Sequence, residues 1–310
     1  MSTGSSQNQT LSFLMRRFAE VGIEPRTQLG QNFLIDLNLL RLLVQTAQLG
    51  PDDVVLEVGT GTGSLTAMLA QTAGVVVTVE VDPRLYQLAG EDLLSFANVR
   101  MLHTDALKSK SRIAPEVLAA IDEEMAKRPQ GRFKLAANLP YHVATPLLSN
   151  FLTLDHPPST MTVTIQKEVG DRIVASPGTR DYGALSVWMQ CQCRVNVVRV
   201  MPPSVFWPKP KIHSSIVQIE VDETLRGRIP DRAFFHTFVR SIFLHRRKIL
   251  RSELIAVFKN RLDKSDVDRI LAAQGLEGSL RAEQLSPDVL LALSEAVRAE
   301  LAGEPGEIDN

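Results

Sequence analysis

Val54–Gly63 reads VVLEVGTGTG, an apolar run interrupted only by Glu57 that leads into three alternating glycines, Gly59, Gly61 and Gly63. An amphipathic segment follows from Leu65. Glycines so placed let the backbone turn sharply and let a ligand approach where a β-carbon would collide. A buried strand, a glycine turn and a helix form the ligand crevice of a parallel α/β sheet, so the stretch predicts that fold. The same pattern also describes a tight strand-to-helix turn with no ligand, and function has to come from elsewhere in the chain.

The surrounding sequence alternates strand and helix as such a sheet requires. Upstream, Leu11–Val21 is a short amphipathic helix ended by Gly22 and Pro25, and Leu37–Leu49 is a second, ended by Gly50 and Pro51. Between them Gln28–Leu34 sets two amides, Gln28 and Asn32, beside Phe33; the cluster either caps a helix or meets a ligand by folding over the glycine turn. Downstream, Leu65–Ala73 is the helix of that turn, and Val75–Glu80 is a nearly continuous apolar strand, the mark of a sheet covered on both faces. Pro83 opens a helix that runs to about Leu94. Strands are expected at Val99–His103, Phe133–Ala137 and Met161–Ile165, with helices over about 113–128, 144–154, 169–174 and 184–189. Val195–Val200 and Ser215–Val221 flank a proline-rich loop, Pro202–Pro210, as a candidate antiparallel pair. Beyond Asp222–Pro230 only helices are expected: one long segment over Asp231–Phe258, then Lys264–Ala273 and Pro287–Leu301. The expected domains are therefore residues 11–221, with a doubly wound sheet, and residues 231–301, all helical.

The totals agree with this division. A chain of 310 residues, 44% hydrophobic, suffices for one large core and a smaller domain. With 34 basic and 35 acidic residues the formal net charge is -1, which gives no global attraction to polyanions. The two cysteines, Cys191 and Cys193, are too few for a disulfide framework, and six scattered histidines offer no structural metal cluster. Residues 1–10 lack the basic start and apolar run of a signal peptide, and no run approaches the length of a membrane span. A soluble, reducing, intracellular setting is the expectation.

Chemistry enters at the strand ends, where Glu57, Glu80, Asp105 and Asn138 fall at the close of four strands. In a doubly wound sheet these ends lie along one edge and converge on one site. Glu80 is placed to accept both hydroxyls of a ribose, and Asp105, with the Ala106 N–H beside it, to read an adenine edge. Helix capping is the plainer account of both carboxylates. No lysine followed by Ser or Thr succeeds the glycines, so a phosphate-gripping loop is not encoded. Glu57 beside them would repel a pyrophosphate and attract a cationic, amino-bearing ligand, which favours S-adenosylmethionine over NAD.

Asn138-Leu139-Pro140-Tyr141 is the sharper motif. A side-chain amide oxygen and a backbone carbonyl can accept from one exocyclic amine, Pro140 stiffens the turn, and Tyr141 offers a face for a flat base. Two acceptors holding the hydrogens of an aromatic amine favour its tetrahedral, nucleophilic geometry as a methyl group arrives. A structural turn, with Asn capping and Tyr packing, is the alternative.

With these motifs in order, the chain resembles the small-subunit ribosomal RNA adenine N6,N6-dimethyltransferases, a group of class I S-adenosylmethionine-dependent methyltransferases. The resemblance covers about residues 26–259 and rests on Gln31-Asn32-Phe33-Leu34, the Glu57–Thr66 stretch, Glu80 with Asp82, Asp105-Ala106, Asn138–Tyr141, Gln166–Val169, Tyr182–Val187, Pro202–Lys211 and His245–Lys248. It implies the class I methyltransferase fold, a Rossmann-like, doubly wound and mostly parallel sheet, with a small all-helical C-terminal domain that helps grip RNA. It implies a cofactor pocket of Gln28, Asn32, Leu34, Glu57, Gly59, Gly61, Glu80, Asp105, Ala106 and Asn138. Asn138 and the Leu139 carbonyl would hold the target N6 amine, with Tyr141 and Phe206 sandwiching the base. Read from the residues themselves, basic side chains cluster at Arg240, His245, Arg246, Arg247, Lys248 and Arg251, with Lys209 and Lys211 in the loop beside Phe206; Lys209, Lys211, Arg246, Arg247, Lys248 and Arg251 are the expected RNA contacts, and a solvated charged helix face is the alternative for the 240–251 segment. The implied enzyme is a cytoplasmic monomer, independent of membranes and metals, that dimethylates two adjacent adenosines in a hairpin near the 3′ end of 16S ribosomal RNA, in the small subunit or its precursor.

Thr60 stands where that family usually has proline, a departure the remaining glycines should absorb. Other readings stay open. A large-subunit adenine methylase of the antibiotic-resistance type usually has isoleucine at the Leu139 place. Relatives also include non-catalytic ribosome-assembly and transcription factors, and a DNA adenine methylase would need a further target-recognition domain.

Overall fold

A computed structural model describes residues 11–25 and 30–303. Its main sheet has seven strands: β1 Val54–Val58, β2 Val75–Glu80, β3 Val99–His103, β4 Phe133–Asn138, β5 Thr160–Gln166, β6 Cys193–Met201 and β7 Ser214–Val221. Their spatial order is β3-β2-β1-β4-β5-β7-β6. The first five are parallel, with Leu56 of β1 opposite Val77 of β2 and Leu135 of β4. β7 runs antiparallel to β5, from Ser214 against Gln166 to Glu220 against Thr160. Every residue of β1 and β2 is buried, as expected of strands covered on both faces. The doubly wound, mostly parallel sheet read from the sequence is therefore present.

The order reverses between β1 and β4, and this switch point fixes where a ligand can sit. The chain leaves β1 through Gly59–Gly63 and leaves β4 through Leu139-Pro140, so the two motifs lie at the same edge of neighbouring parallel strands. The helices that cover the sheet begin where the sequence supplies caps. Asp36 accepts from the Asn38 and Leu39 N–H groups to start Leu37–Ala47, and Asp82 accepts from Arg84 ahead of Pro83–Leu93. Leu40, Leu43 and Ala47 of the first join Val55, Leu69, Val76 and Ala136 in one core.

Two short ribbons escape sequence periodicity. Phe33–Leu34 pairs antiparallel with Phe206–Trp207, and Leu107–Ser109 pairs with Arg112–Ile113. At two or three residues each, no alternation can announce them.

The chain forms two compact units. One comprises the stretch up to Gly170 with Val195–Val221; the other comprises Asp171–Arg194 and the stretch from Asp222 onward. The single cut expected between residues 221 and 231 thus omits Asp171–Arg194 from the helical unit. Those residues belong there because Tyr182 donates its buried hydroxyl to the Leu285 carbonyl and Trp188 packs on Phe235. The long segment expected over Asp231–Phe258 is also broken, into Arg232–Ile242 and Leu250–Val257. Leu244–Ile249 contains no buried side chain to continue the apolar stripe, and Arg246 turns inward instead to the carbonyls of Arg180 and Tyr182.

Candidate active site

The glycine turn is built on left-handed backbone: φ is +87° at Gly59, +57° at Gly61 and +78° at Gly63. Side chains are disfavoured there both by conformation and by space, since a β-carbon at Gly61 would lie 3.3 Å from the Phe33 ring. The Gly59 and Thr60 N–H groups donate to the Val79 carbonyl, at 2.9 and 3.2 Å, so the turn is stitched to β2. Thr60 leaves the glycine conformation intact.

Glu80, at the end of β2, clamps the same turn. Its Oε2 accepts from the Gly61 N–H at 2.9 Å, and its Oε1 accepts from the N–H groups of Val81 (3.0 Å) and Asp82 (2.9 Å). Burial raises its carboxyl above the ordinary range, opposed by those N–H donors. Asp82 in turn accepts from the Gln31 side chain at 3.3 Å, which ties the Gly30–Phe33 segment to the adjoining helix start. The sequence offered Gln31 as part of a motif but gave no sign of this partner.

Beside the turn lies a buried polar knot. Glu57 Oε2 accepts from Thr66 Oγ1 at 2.5 Å and from Thr78 Oγ1 at 2.7 Å, and Thr78 Oγ1 lies 2.7 Å from Thr60 Oγ1. All four side chains are buried. Desolvation pushes the Glu57 carboxyl up to about 8, with the Glu80 charge adding to the rise and the two threonine hydroxyls opposing it. Glu57 does not line the cleft, so its expected attraction for an amino-bearing ligand is corrected: a mostly neutral carboxyl, occupied by threonines, braces the strand-to-helix junction.

The cleft at this edge encloses about 850 Å³, its open mouth included. It is lined by Asn32, Phe33, Gly59, Gly61, Glu80, Asp105, Ala106, Asn138, Leu139 and Tyr141, among others. Asp105 lines the cleft, and its Oδ1 accepts from the Leu107 N–H at 2.9 Å at the start of the short strand Leu107–Ser109, so it holds a turn and does not cap a helix. Asn138 donates its Nδ2 to the Asn32 backbone carbonyl at 2.9 Å, which fixes which end of the amide is committed and leaves Oδ1 as the other. Asn32 donates its own side chain to the Gly30 carbonyl at 3.1 Å. The Leu139 N–H donates to Thr164, holding the turn after β4, and its side chain is buried. The Tyr141 hydroxyl lies 2.7 Å from Ser214 Oγ, a buried partner on β7 that no sequence signal pointed to.

Two expected members lie elsewhere. Phe206 is 2% exposed and pairs with Leu34, itself 6% exposed, across the two-stranded ribbon; both are packed into the apolar core with Met201 and Ile216. Neither lines the cleft, so Phe206 is not a second face opposite Tyr141, and Leu34 is a core residue and not a cofactor contact. Phe33, next to it, does line the cleft, and Trp207 packs on Phe18 and Phe33. Gln28 lies outside the described residues.

The basic residues divide by use. Lys209 and Lys211 are exposed. In the helical unit Arg246 donates to the carbonyls of Arg180 (2.6 Å) and Tyr182 (3.2 Å), and Arg251 forms a two-pronged pair with Asp268 at 2.5 and 2.8 Å. Lys248 lies 3.8 Å from buried Glu253, and Arg247 is exposed. Arg246 and Arg251 are thus engaged within the unit. Among the described residues no cluster of metal-ligating side chains occurs, and no helix is long and apolar enough to cross a membrane. Both cysteines are free and buried.

The family described as ribosomal RNA adenine dimethylase matches residues 22–288. The ribosomal RNA small subunit methyltransferase A of Lactiplantibacillus plantarum is 38% identical over 278 residues, 89% of this chain and 91% of that protein. Its namesake from Clostridium acetobutylicum is 36% identical over 270 residues, 87% and 92% of the two chains. A crystal structure of a dimethyladenosine transferase from Plasmodium falciparum shares the fold, with a TM-score of 0.72 at 22% identity over 86% of this chain and 97% of that one.

Proposed function

The chain belongs to the ribosomal RNA adenine dimethylase family, and from that premise we propose how its cleft dimethylates N6 of two adjacent adenosines of 16S ribosomal RNA. The lining suits S-adenosylmethionine. Glu80 Oε2 accepts one backbone N–H and retains a lone pair for a ribose hydroxyl, Asp105 supplies an acceptor for an adenine amine, and the bare backbone of Gly59 and Gly61 admits a close ligand. When bound there, S-adenosylmethionine supplies an electrophilic methyl group.

The chain's own part is to hold and expose the nucleophile. In the first transfer Asn138 Oδ1 and the Leu139 carbonyl accept the two N6 hydrogens, and in the second one of them accepts the single hydrogen left, which each time turns the nitrogen lone pair away from ring conjugation and toward the methyl group. Tyr141 stacks on the target adenine, taken out of its helix, with its hydroxyl anchored on Ser214. The N6 proton passes to water after the new bond forms, so no general base from the chain is required. RNA enters as a structured substrate read mainly by backbone and shape, and the enzyme acts as a monomer.

The single observation supporting this reading is the Asn138 amide, held at Nδ2 by the Asn32 carbonyl so that the oxygen is its remaining polar end, in the cleft that also contains Glu80 and the glycine turn. Asn138→Ala is expected to lower methyl transfer by at least ~10²-fold while cofactor affinity stays within a few-fold. Mass spectrometry of small-subunit RNA incubated with purified enzyme reads the first, and calorimetric titration the second. Dimethyladenosine formed at the normal rate by the variant would remove Asn138 from the reaction.

A further inference from the structure

The helical unit contains a hollow of its own, enclosing about 580 Å³ with its open side included, between Arg232–Ile242 and the end of Leu250–Val257. Three phenylalanines line it as a ladder. Phe234 and Phe238 are stacked with centroids 6.3 Å apart and planes 22° apart, and Phe238 and Phe258 with centroids 6.2 Å and planes 25° apart. Phe238 is buried, whereas Phe234 and Phe258 are only partly covered. Thr237, Lys259 and Arg261 edge the hollow, all three exposed.

Several arginines of the helical unit are already spent on carboxylates. Arg251 is neutralised by Asp268, Arg298 by Glu295, Arg228 by Asp288, and Arg269 by Asp266 and Glu300. Among the described residues Lys259 and Arg261 have no such partner. The nearest acid in sequence, Asp263, is committed to capping the next helix through the Asp266 N–H and Ser265 hydroxyl. Two uncompensated cations therefore edge a set of partly exposed aromatic rings, the combination that binds an unstacked nucleotide: a base on an aromatic face, a phosphate on the cations.

We infer that the Phe234–Phe238–Phe258 hollow holds an unpaired nucleotide of the RNA substrate, separate from the adenosine being methylated. The inference rests on the reading of RNA as substrate, and its test works without methyl transfer. Fluorescein-labelled decauridylate is titrated into the full chain by anisotropy, against a decamer of the same phosphate count lacking bases. Phe258→Leu keeps apolar volume and removes the ring, Phe258→Ala removes both, and Lys259→Ala with Arg261→Ala removes the cations.

The Phe258 variants are expected to weaken decauridylate binding by roughly 5- to 150-fold, and to leave the abasic decamer nearly unchanged. The double cation variant is expected to weaken both oligonucleotides and to lower the slope of log affinity against log salt by about 1.4. Circular dichroism melting and cofactor titration should match the wild type, and Phe258→Leu carries the test should Phe258→Ala fail to fold. Unchanged decauridylate binding in folded Phe258→Leu and in the cation variant would overturn the inference. So would variants that lose small-subunit particles while binding decauridylate normally, since the hollow would then face protein. A wild type that binds through this hollow yet methylates no ribosomal RNA would count against the proposed function alone.

Discussion

Glu57→Gln separates the buried-knot account of the glycine turn from one in which Glu57 greets a ligand. Glutamine keeps the shape, offers one oxygen to Thr66 and Thr78, and cannot ionise. In the folded wild type the carboxyl keeps its proton up to about pH 8, against an ordinary value of 4.5, chiefly because burial penalises the charge. The folded state therefore binds a proton that the unfolded chain has released throughout that window, and stability falls as pH rises. It is fully present below the unfolded value and lost through the folded one. At ~1.4 kcal/mol for each pH step, wild type should lose on the order of 4 kcal/mol relative to Glu57→Gln between pH 5 and pH 8. That is a large share of the 5–15 kcal/mol typical of a whole domain. Urea unfolding of the sheet unit can be followed by Trp207 fluorescence in a Trp188→Phe background, because the chain has only these two tryptophans. The other titrating groups are common to the pair and cancel in the difference, apart from Glu80, whose charge is coupled to Glu57. A difference between the two proteins that stays flat from pH 5 to pH 8 would show that Glu57 is ionised in the fold, and the argument from burial would be wrong.

Three further outcomes are expected. Glu80→Ala should weaken S-adenosylmethionine binding by roughly 10- to 100-fold in calorimetric titration and also lower the melting temperature, because Gly61, Val81 and Asp82 lose one shared acceptor; unchanged titration would refute the ribose contact. Gly61→Ala should cost about 1–2 kcal/mol for left-handed backbone alone, with the Phe33 ring adding to it, and thermal melting should register the loss without any ligand. Arg246→Ala should destabilise the helical unit by roughly 1–2 kcal/mol, since two carbonyls lose a charged donor, whereas Arg247→Ala should leave stability unchanged and weaken binding to small-subunit particles.

Much of this fold was legible because its signals are local and periodic. Val75–Glu80 and Val99–His103 end where the sequence said, as does the helix Lys264–Ala273. Asn138 and the glycines, too, fall at one sheet edge on sequence grounds alone, since parallel strands joined by helices put their ends together. What could not be read was pairing over long separations. Nothing in Phe33–Leu34 announces Phe206–Trp207 as its partner, and that ribbon is what draws Phe206 and Leu34 into the core and away from the cleft. Likewise Tyr182–Gly183 and His245–Lys248 were motifs without a visible connection. Arg246 joins them by donating to the carbonyls of Arg180 and Tyr182, which makes one of the expected RNA-binding residues a structural pin.

The same distinction resolves the low overall charge of the chain. A net charge of -1 argues against RNA only if cations and anions are free to act as a sum. Arg251, Arg269, Arg228 and Arg298 each sit against a carboxylate within the helical unit, so their charges are screened locally by partners only a few ångströms away. A phosphate backbone meets what remains exposed and unneutralised, and Arg247, Lys259 and Arg261 have no ion pair among the described residues. Because counterion release counts cations that contact phosphates and not total charge, the salt dependence of RNA binding should follow these exposed positions and be indifferent to Arg251.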